Sequence, residues 1–314
     1  MVRAAGRLHP QFGIEVTGVR LSAALDDTSF TTILNLYFEH GVLLFRGQNL
    51  TPATLAAFSR RWGRPKIAPR KQFNHQDVPE VMSLGNIVGD EGEPKAFFNR
   101  QGVEWHSDTA GNTHIDNVTF LYAVEVPSVG GDTLFCSMAA AYEALPRELK
   151  DRIEGLRVLH SFNHHNDKVL RLSPGSARPL LPEERAQYPD IWHELVQVHP
   201  INGRRLYYVS EQLCRRFAGM TEAESEPLKE ELVRVATAPE RVYRHRWSPG
   251  DLLLWDNRAS MHSATEINYE HERRHMLRAS TYTDFAPRYC EPWAPGAGTV
   301  WPSVTQPASA TVPL

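Results

Sequence analysis

The sequence predicts a mainly β protein, a sandwich or jelly roll with flanking helices, and three observations lead there. Short apolar runs bounded by turn-forming residues recur along the chain, among them VLLF (42–45), 118–127, LYYVS (206–210) and DLLLWD (251–256). Runs of this length and composition read as strands, and a continuously apolar one reads as a strand buried on both faces. Helical periodicity is confined to a few segments. The residues best suited to hold a metal lie far apart in sequence, as they do when distant strands of a folded-over sheet build one site.

The elements follow in order. Phe30, Ile33, Leu34, Tyr37 and Phe38 fall at helical spacing and predict a helix over 28–39, with Asp27 or Thr28 as N-cap and Gly41 as its stop. VLLF then reads as a buried strand. Thr51 as N-cap, Pro52 at the first helical position and Gly63 beyond the end predict a second helix over 52–62. Residues 64–104 are rich in Pro, Gly, Asn and charge, with one apolar island at VPEVM (78–82). A segment this long without its own periodicity reads as a lid or binding loop. Two strands broken by PSVGGD (127–132) span 118–138, and a helix follows over 138–155. A second polar segment, 163–190, reads as another lid. After LYYVS come a helix over 222–237, a hairpin turning at Pro249-Gly250 whose second arm is DLLLWD, and a final strand over 275–284. No internal repeat or linker divides the chain, so residues 1–285 read as one domain. Residues 286–314, with six prolines and two docking candidates, Trp293 and Trp301, read as an irregular tail.

Composition narrows the function. The 314 residues carry a formal charge of −3, with 41% hydrophobic and 23% charged residues, an ordinary globular balance. That charge disfavours nucleic acid as a partner, which needs a basic surface. The one arginine-rich run, RVYRHRW (241–247), alternates as a solvated sheet face would. Cys136, Cys214 and Cys290 are widely separated, which suits free thiols in a reducing cytoplasm and offers no zinc cluster. No apolar run approaches the roughly 20 residues that span a bilayer, and the N-terminus lacks the apolar core of a secretory signal. A cytoplasmic protein with no membrane partner is expected; the sequence leaves a homo-oligomer open.

A metal that activates oxygen is held by two histidines and one carboxylate on one octahedral face. His-x-Asp is a common carrier of two of these ligands, but with 14 histidines the spacing alone decides nothing. It occurs at His75/Asp77, His106/Asp108, His114/Asp116 and His165/Asp167. Context favours His106/Asp108, which sits in EWHSD and is followed by GGDT, ending in Thr133. His114/Asp116 lies too close to GGDT, and the other two pairs fall in the polar lids. Downstream, the stretch WDNRASMHSATEINYEHERRHMLR (255–278) places His262 before Arg274 and Arg278. On a strand, Arg274, Met276 and Arg278 share one face, and the arginines stand about 13 Å apart, at roughly 3.3 Å per residue. They therefore serve different groups.

The order WHSD, GGDT, WDNR…His…RRxxxR resembles the taurine and 2,4-dichlorophenoxyacetate dioxygenase family of Fe(II)/2-oxoglutarate enzymes. The likeness runs from about residue 8 to 285 and includes GVLLFRGQ (41–48), GGDTLFCSMAAAYEALP (130–146) and VYRHRWSPGDLLLWDNR (242–258). It implies the double-stranded β-helix version of the jelly roll. By position, His106, Asp108 and His262 match the iron ligands. Thr133 and Arg274 match the residues that hold the distal carboxylate of 2-oxoglutarate, and Arg278 matches an arginine nearer the metal that touches the proximal carboxylate or the substrate.

The resemblance further implies O2 as co-substrate and a small organic anion as substrate, either a phenoxyalkanoate-type acid or a carboxylated natural-product intermediate. The reaction would be hydroxylation, desaturation or ether cleavage, with succinate and CO2 released. Substrate contacts are expected from Arg278 and the lids: Asn74, His75, Asn99, Arg100 and Gln101 in the first, Phe162, His164 and His165 in the second. Two other readings fit the ligand set less well. A zinc hydrolase leaves Arg274 and Thr133 without work, and a non-catalytic jelly-roll binding protein has no need of an intact arginine pair.

Overall fold

A computed structural model describes residues 1–22, 24–68, 71–97, 104–108, 110–112, 115, 117–172 and 179–283. The chain opens with β1 (Arg3–Arg7), β2 (Ile14–Thr17), α1 (Asp27–His40), β3 (Val42–Phe45), α2 (Pro52–Arg60), β4 (Arg64–Pro65) and β5 (Val81–Gly85). Next come β6 (Asn117–Glu125), β7 (Thr133–Ser137), α3 (Met138–Ala144), α4 (Arg147–Ile153), β8 (Arg157–His160), α5 (Phe162–Leu172) and α6 (Pro182–Ala186). It closes with β9 (Ile191–Glu194), β10 (Val196–Val198), β11 (Arg205–Tyr207), β12 (Cys214–Phe217), α7 (Glu222–Ala236), β13 (Val242–His245), β14 (Leu252–Asp256), β15 (Ser260–Ala264) and β16 (His275–Tyr282).

Two sheets face each other across a shared core. The larger runs β1-β2-β3-β14-β6-β16-β4, with β5 also paired to β16, and the smaller runs β13-β7-β15. Between them, Leu44, Leu121, Leu253, Trp255 and Met276 of the large sheet pack with Phe135 of the small one. The large sheet's other face, including Phe120, Leu252, Leu254 and Leu277, is covered by Phe30, Ile33, Leu34 and Tyr37 of α1 and Leu55 and Phe58 of α2. Helices α3, α4 and α7 pack with β8, β11 and β12 in a third cluster. The result is a mainly β, jelly-roll architecture with buttressing helices. No helix among the described residues is long and apolar enough to cross a membrane.

Local chemistry sets the element ends. Gly41 sits at φ 71° and donates its N–H to the Tyr37 carbonyl, the left-handed cap that glycine accepts without a Cβ penalty. The N-cap of α1 is Asp26, one residue ahead of the expected Asp27 or Thr28, because its carboxylate accepts the Ser29 N–H. Thr51 caps α2 in a capping box with Thr54. The helix expected over 138–155 is two, because Leu145 precedes Pro146 and takes ψ 140°.

Three further expectations are corrected. Pro249-Gly250 does not turn a hairpin: β13 pairs with β7, whereas β14 lies between β3 and β6. The turn carries the chain from the small sheet to the large one, as a strand buried along its whole length and paired on both edges requires. The first lid contains β5, which pairs with β16 from His275↔Gly85 to Ala279↔Val81. The second lid is helical in α5 and α6; Ser161 accepts the His164 N–H at the start of α5, a cap that the polar sequence around it obscured. The proposed tail and its Trp293 and Trp301 lie outside the described residues.

Candidate active site

His106, Asp108 and His262 come together although the first two precede the third by 156 and 154 residues. One potential ligand atom from each lies within 4.8 Å of the others. His262 is in the middle of β15, opposite Phe135 on β7, so it stands on the inner face of the small sheet. His106 is tied to it by a two-way backbone bridge, His106 N–H to the His262 carbonyl at 3.0 Å and His262 N–H to the His106 carbonyl at 2.8 Å. The His106 Nδ1 sits 2.8 Å from the Glu104 carbonyl. A carbonyl only accepts, so Nδ1 carries the proton and Nε2 is left as a lone-pair donor. Burial, then the neighbouring His106, pushes His262 down to about 3, so its ring is neutral at ordinary pH.

A network from β6 and the WDNR stretch fixes Asp108. Thr119 Oγ1 donates to Asp108 Oδ2 at 2.7 Å, and Arg278 Nη2 lies 2.9 Å from the same oxygen. The Asp108 N–H donates to Asn257 Oδ1 at 3.3 Å, Trp255 Nε1 donates to that oxygen at 3.1 Å, and Asn257 Nδ2 donates to Thr119 Oγ1 at 2.9 Å. Oδ1 of Asp108 faces His262, 3.9 Å from its Nε2. One carboxylate oxygen is thus held by the protein while the other is turned toward the two imidazoles. Thr119 and Asn257 were not foreseen as site residues. Asn257 lies inside the WDNR motif, but its partners become visible only once β14 and β6 pair.

Thr133 opens β7 and sits in register with His245 on one side and Ala264 on the other. Gly130 and Gly131 deliver it there: φ is 78° and 69°, and a Cβ on Gly130 would lie 2.2 Å from the Glu266 carbonyl oxygen. The Thr133 hydroxyl accepts from Trp247 Nε1 at 3.0 Å, which leaves its own proton to give. Arg274 precedes β16 and is anchored through its backbone N–H, donated to Asn86 Oδ1 at 2.8 Å. Its Nε is buried with no hydrogen-bond partner, and burial disfavours its charge. Among the described residues no carboxylate pairs with it. A half-buried guanidinium whose Nε has no partner is suited to an anion from outside the protein.

The substrate candidates separate. Asn74 bridges Met82, and Met82 lies opposite Arg278, so all three stand on one face of the sheet. His75 is exposed and directed away by strand alternation. His165 is buried, 3.6 Å from the Glu104 carboxylate, which also accepts from Lys168 of α5. The second lid thereby docks two residues from His106. Asp167 pairs with Arg185 on both oxygens, at 2.8 and 2.9 Å, and is no metal ligand. Asn99, Arg100, Gln101 and the His114/Asp116 pair lie outside the described residues.

Residues 5–280 match the model of the taurine catabolism dioxygenase TauD, TfdA family. The chain is 34% identical over 288 residues to an alpha-ketoglutarate-dependent 2,4-dichlorophenoxyacetate dioxygenase of Cupriavidus pinatubonensis, covering 89% of this chain and 98% of that one. It is 29% identical to a pentalenolactone F synthase of Streptomyces avermitilis, over 90% of this chain and 94% of the other. Among solved structures, a taurine dioxygenase from Burkholderia xenovorans superposes with a TM-score of 0.72 at 29% identity, over 90% of both chains. These relatives support oxidation dependent on 2-oxoglutarate (alpha-ketoglutarate), O2 and a metal ion over the hydrolase and binding-protein readings. With its facing sheets, clustered His-Asp-His set and match along nearly its whole length, the chain belongs to the TauD/TfdA family and is a 2-oxoglutarate-dependent dioxygenase.

Proposed function

We propose that the metal is Fe(II), held by His106, Asp108 and His262, and that a single domain over residues 1–285 oxidises a small organic acid. The observation that carries this is a two-histidine, one-carboxylate donor set in one structure with a half-buried arginine, Arg274, whose Nε has no hydrogen-bond partner. The set suits non-haem Fe(II), which leaves open positions for co-substrate and O2. Once bound, the metal supplies the oxidation of 2-oxoglutarate to succinate and CO2 and of the prime substrate.

The chain's own residues position and charge the reactants. His106 presents Nε2 because the Glu104 carbonyl holds the other nitrogen. Asp108 keeps its charge because Arg278 and Thr119 occupy Oδ2. Arg274 takes the far carboxylate of 2-oxoglutarate in a charge-assisted pair, with the Thr133 hydroxyl as a further donor. The prime substrate is a small anionic acid, a phenoxyalkanoate or a carboxylated natural-product intermediate, in keeping with the named substrates of the relatives, and it is hydroxylated, desaturated or cleaved at an ether. Asn74, on the Arg278 face, lines its pocket. Unpaired Cys136 and Cys214 fit a cytoplasmic setting.

The test is oxygen-dependent succinate formation from 2-oxoglutarate by the full chain with Fe(II), Zn(II) or no metal. Turnover with Fe(II) alone is expected. The anaerobic Fe(II) protein should also gain a weak visible absorption when 2-oxoglutarate is added. Iron binding without either response would sink the proposal.

A further inference from the structure

The loop between β15 and β16 leads from the metal set to Arg274, and one side chain of the first lid grips it. Asn86 follows β5 and is half-buried. Its Oδ1 accepts the Arg274 N–H at 2.8 Å. Its Nδ2 donates to the Glu272 carbonyl at 2.8 Å and to the Tyr269 carbonyl at 3.4 Å. Its own backbone N–H donates to the Arg274 carbonyl at 3.2 Å. One residue thus engages both backbone polar groups of Arg274 and two carbonyls of the loop ahead of it.

The two segments approach closely. Gly85 lies opposite His275, and a Cβ on it would stand 1.8 Å from the Arg274 carbonyl oxygen. A side-chain amide suits the next position because it offers an acceptor on one side and donors on the other. A carboxylate there would set a bare oxygen against two carbonyls. Other ties hold other points of the loop: the Ser128 N–H donates to Glu272 Oε2 at 2.8 Å, and Arg273 pairs with Glu125 at 3.0 Å. Of these ties, only the Asn86 contacts hold the backbone of Arg274 itself. The Arg274 Nε has no hydrogen-bond partner, so the placement of this guanidinium before an anion arrives rests on its backbone.

We propose that Asn86 is a positioning residue for Arg274, and that it sets both the affinity for 2-oxoglutarate and the length of 2-oxo diacid accepted. This rests on the assignment of Fe(II) to the metal set and of Arg274 to the far carboxylate. A diacid held at one end by the metal and at the other by Arg274 is measured by the distance between them, and small misplacements of either are costly. Releasing the Arg274 backbone weakens the hold on the diacid that fits and lowers the penalty on one that is longer.

The experiment titrates 2-oxoglutarate, or 2-oxoadipate with one methylene more, into the full chain with Fe(II) under argon and follows the visible absorption. Asn86→Ala should raise the Kd of 2-oxoglutarate by about 5- to 30-fold, the scale of one lost hydrogen bond and its orphaned donor. The preference for 2-oxoglutarate over 2-oxoadipate should narrow by about 3- to 10-fold, part of what one methylene is worth. Fe(II) affinity, read by titration calorimetry, should stay unchanged, which a general loosening of the fold would not allow. Asn86→Ser repeats the test should alanine disturb the loop. Arg273→Gln, which cuts the neighbouring tie to Glu125, should leave the binding of both diacids unaffected. The proposal is overturned if the 2-oxoglutarate Kd does not move, if Fe(II) affinity falls in parallel, if the preference between the diacids is unchanged, or if Arg273→Gln has the same effect. If instead the unmodified protein shows no absorption, or Arg274→Met binds 2-oxoglutarate as tightly as it does, the underlying assignment is removed and the proposal with it.

Discussion

Arg278 and Asp108 form an ion pair, with Nη2 of the arginine 2.9 Å from Oδ2 of the carboxylate. Burial alone would push the Asp108 carboxyl up, but Arg278 foremost, then His262, His106 and Thr119, hold it well below the usual carboxylate range. The pair spans the site from the run-in of the metal set to β16. Because Oδ2 also accepts from Thr119, Oδ1 is the oxygen left facing His262.

Arg278→Met should therefore weaken metal binding. Removing a group that orients a ligating carboxylate costs about 10- to 100-fold in metal affinity. Titration calorimetry with Fe(II) under argon, or with Co(II) in air, reads it directly. An unchanged metal affinity with only the substrate KM raised would make Arg278 the substrate anchor and the ion pair incidental.

Thr119→Val keeps the shape of the side chain but removes the donor to Oδ2 and the acceptor for Asn257 Nδ2. A loss of roughly 1–2 kcal/mol in metal binding is expected, one hydrogen bond to a charged group less what relaxation recovers. Asn257→Ala should act through the same carboxylate, so the double variant should lose less than the sum of the two. Strict additivity would mean that the two residues do not form one network.

The His106, Asp108 and His262 cluster was legible because WHSD and the histidine ahead of RRxxxR carry local patterns, and GGDT and RRxxxR likewise singled out Thr133 and Arg274 as candidates. The helices α1 and α2 were legible from caps and periodicity. What escaped was non-local. β5 looked like lid because VMSLG has no alternation; only β16 beside it makes it a strand. Pro249-Gly250 looked like a hairpin turn because turn chemistry does not say which sheet each arm joins. The ion pair of Arg278 with Asp108 escaped as well, since nothing in RRxxxR announces that a carboxylate 170 residues earlier lies 2.9 Å away. Thr119 joins the site only through sheet register, which a single sequence does not display.

Arg274→Met should raise the KM for 2-oxoglutarate by about 10- to 100-fold or more, the scale of a lost charge-assisted pair. Thr133→Val should raise it only severalfold, on the scale of one neutral hydrogen bond. Metal affinity should be unaffected in both. Equal effects of the two substitutions, or a shift in metal binding, would break the assignment of Arg274 to the far carboxylate.

His160 supplies a pH dependence independent of the metal. Its ring is fully buried on β8, both nitrogens lack a hydrogen-bond partner, and His193 and Tyr208 pack against it with ring centres 5.3 and 5.5 Å away. Burial, then His193, pushes His160 down to about 3. In the unfolded chain the same ring protonates near the ordinary value, 6.5. Between those limits the unfolded state binds the extra proton, so stability falls as pH falls, with a limiting slope of about 1.4 kcal/mol per pH unit. Urea denaturation of the metal-free chain at pH 7.5 and pH 5 should show this loss. In His160→Phe, which keeps an aromatic ring there without a titrating group, the loss should shrink by roughly 1–2 kcal/mol. Comparing the two proteins removes the parallel titrations of His193 and His262, which both retain. Identical losses would mean that His160 gains a proton or reaches water in the native state, and the buried neutral ring described here would be wrong.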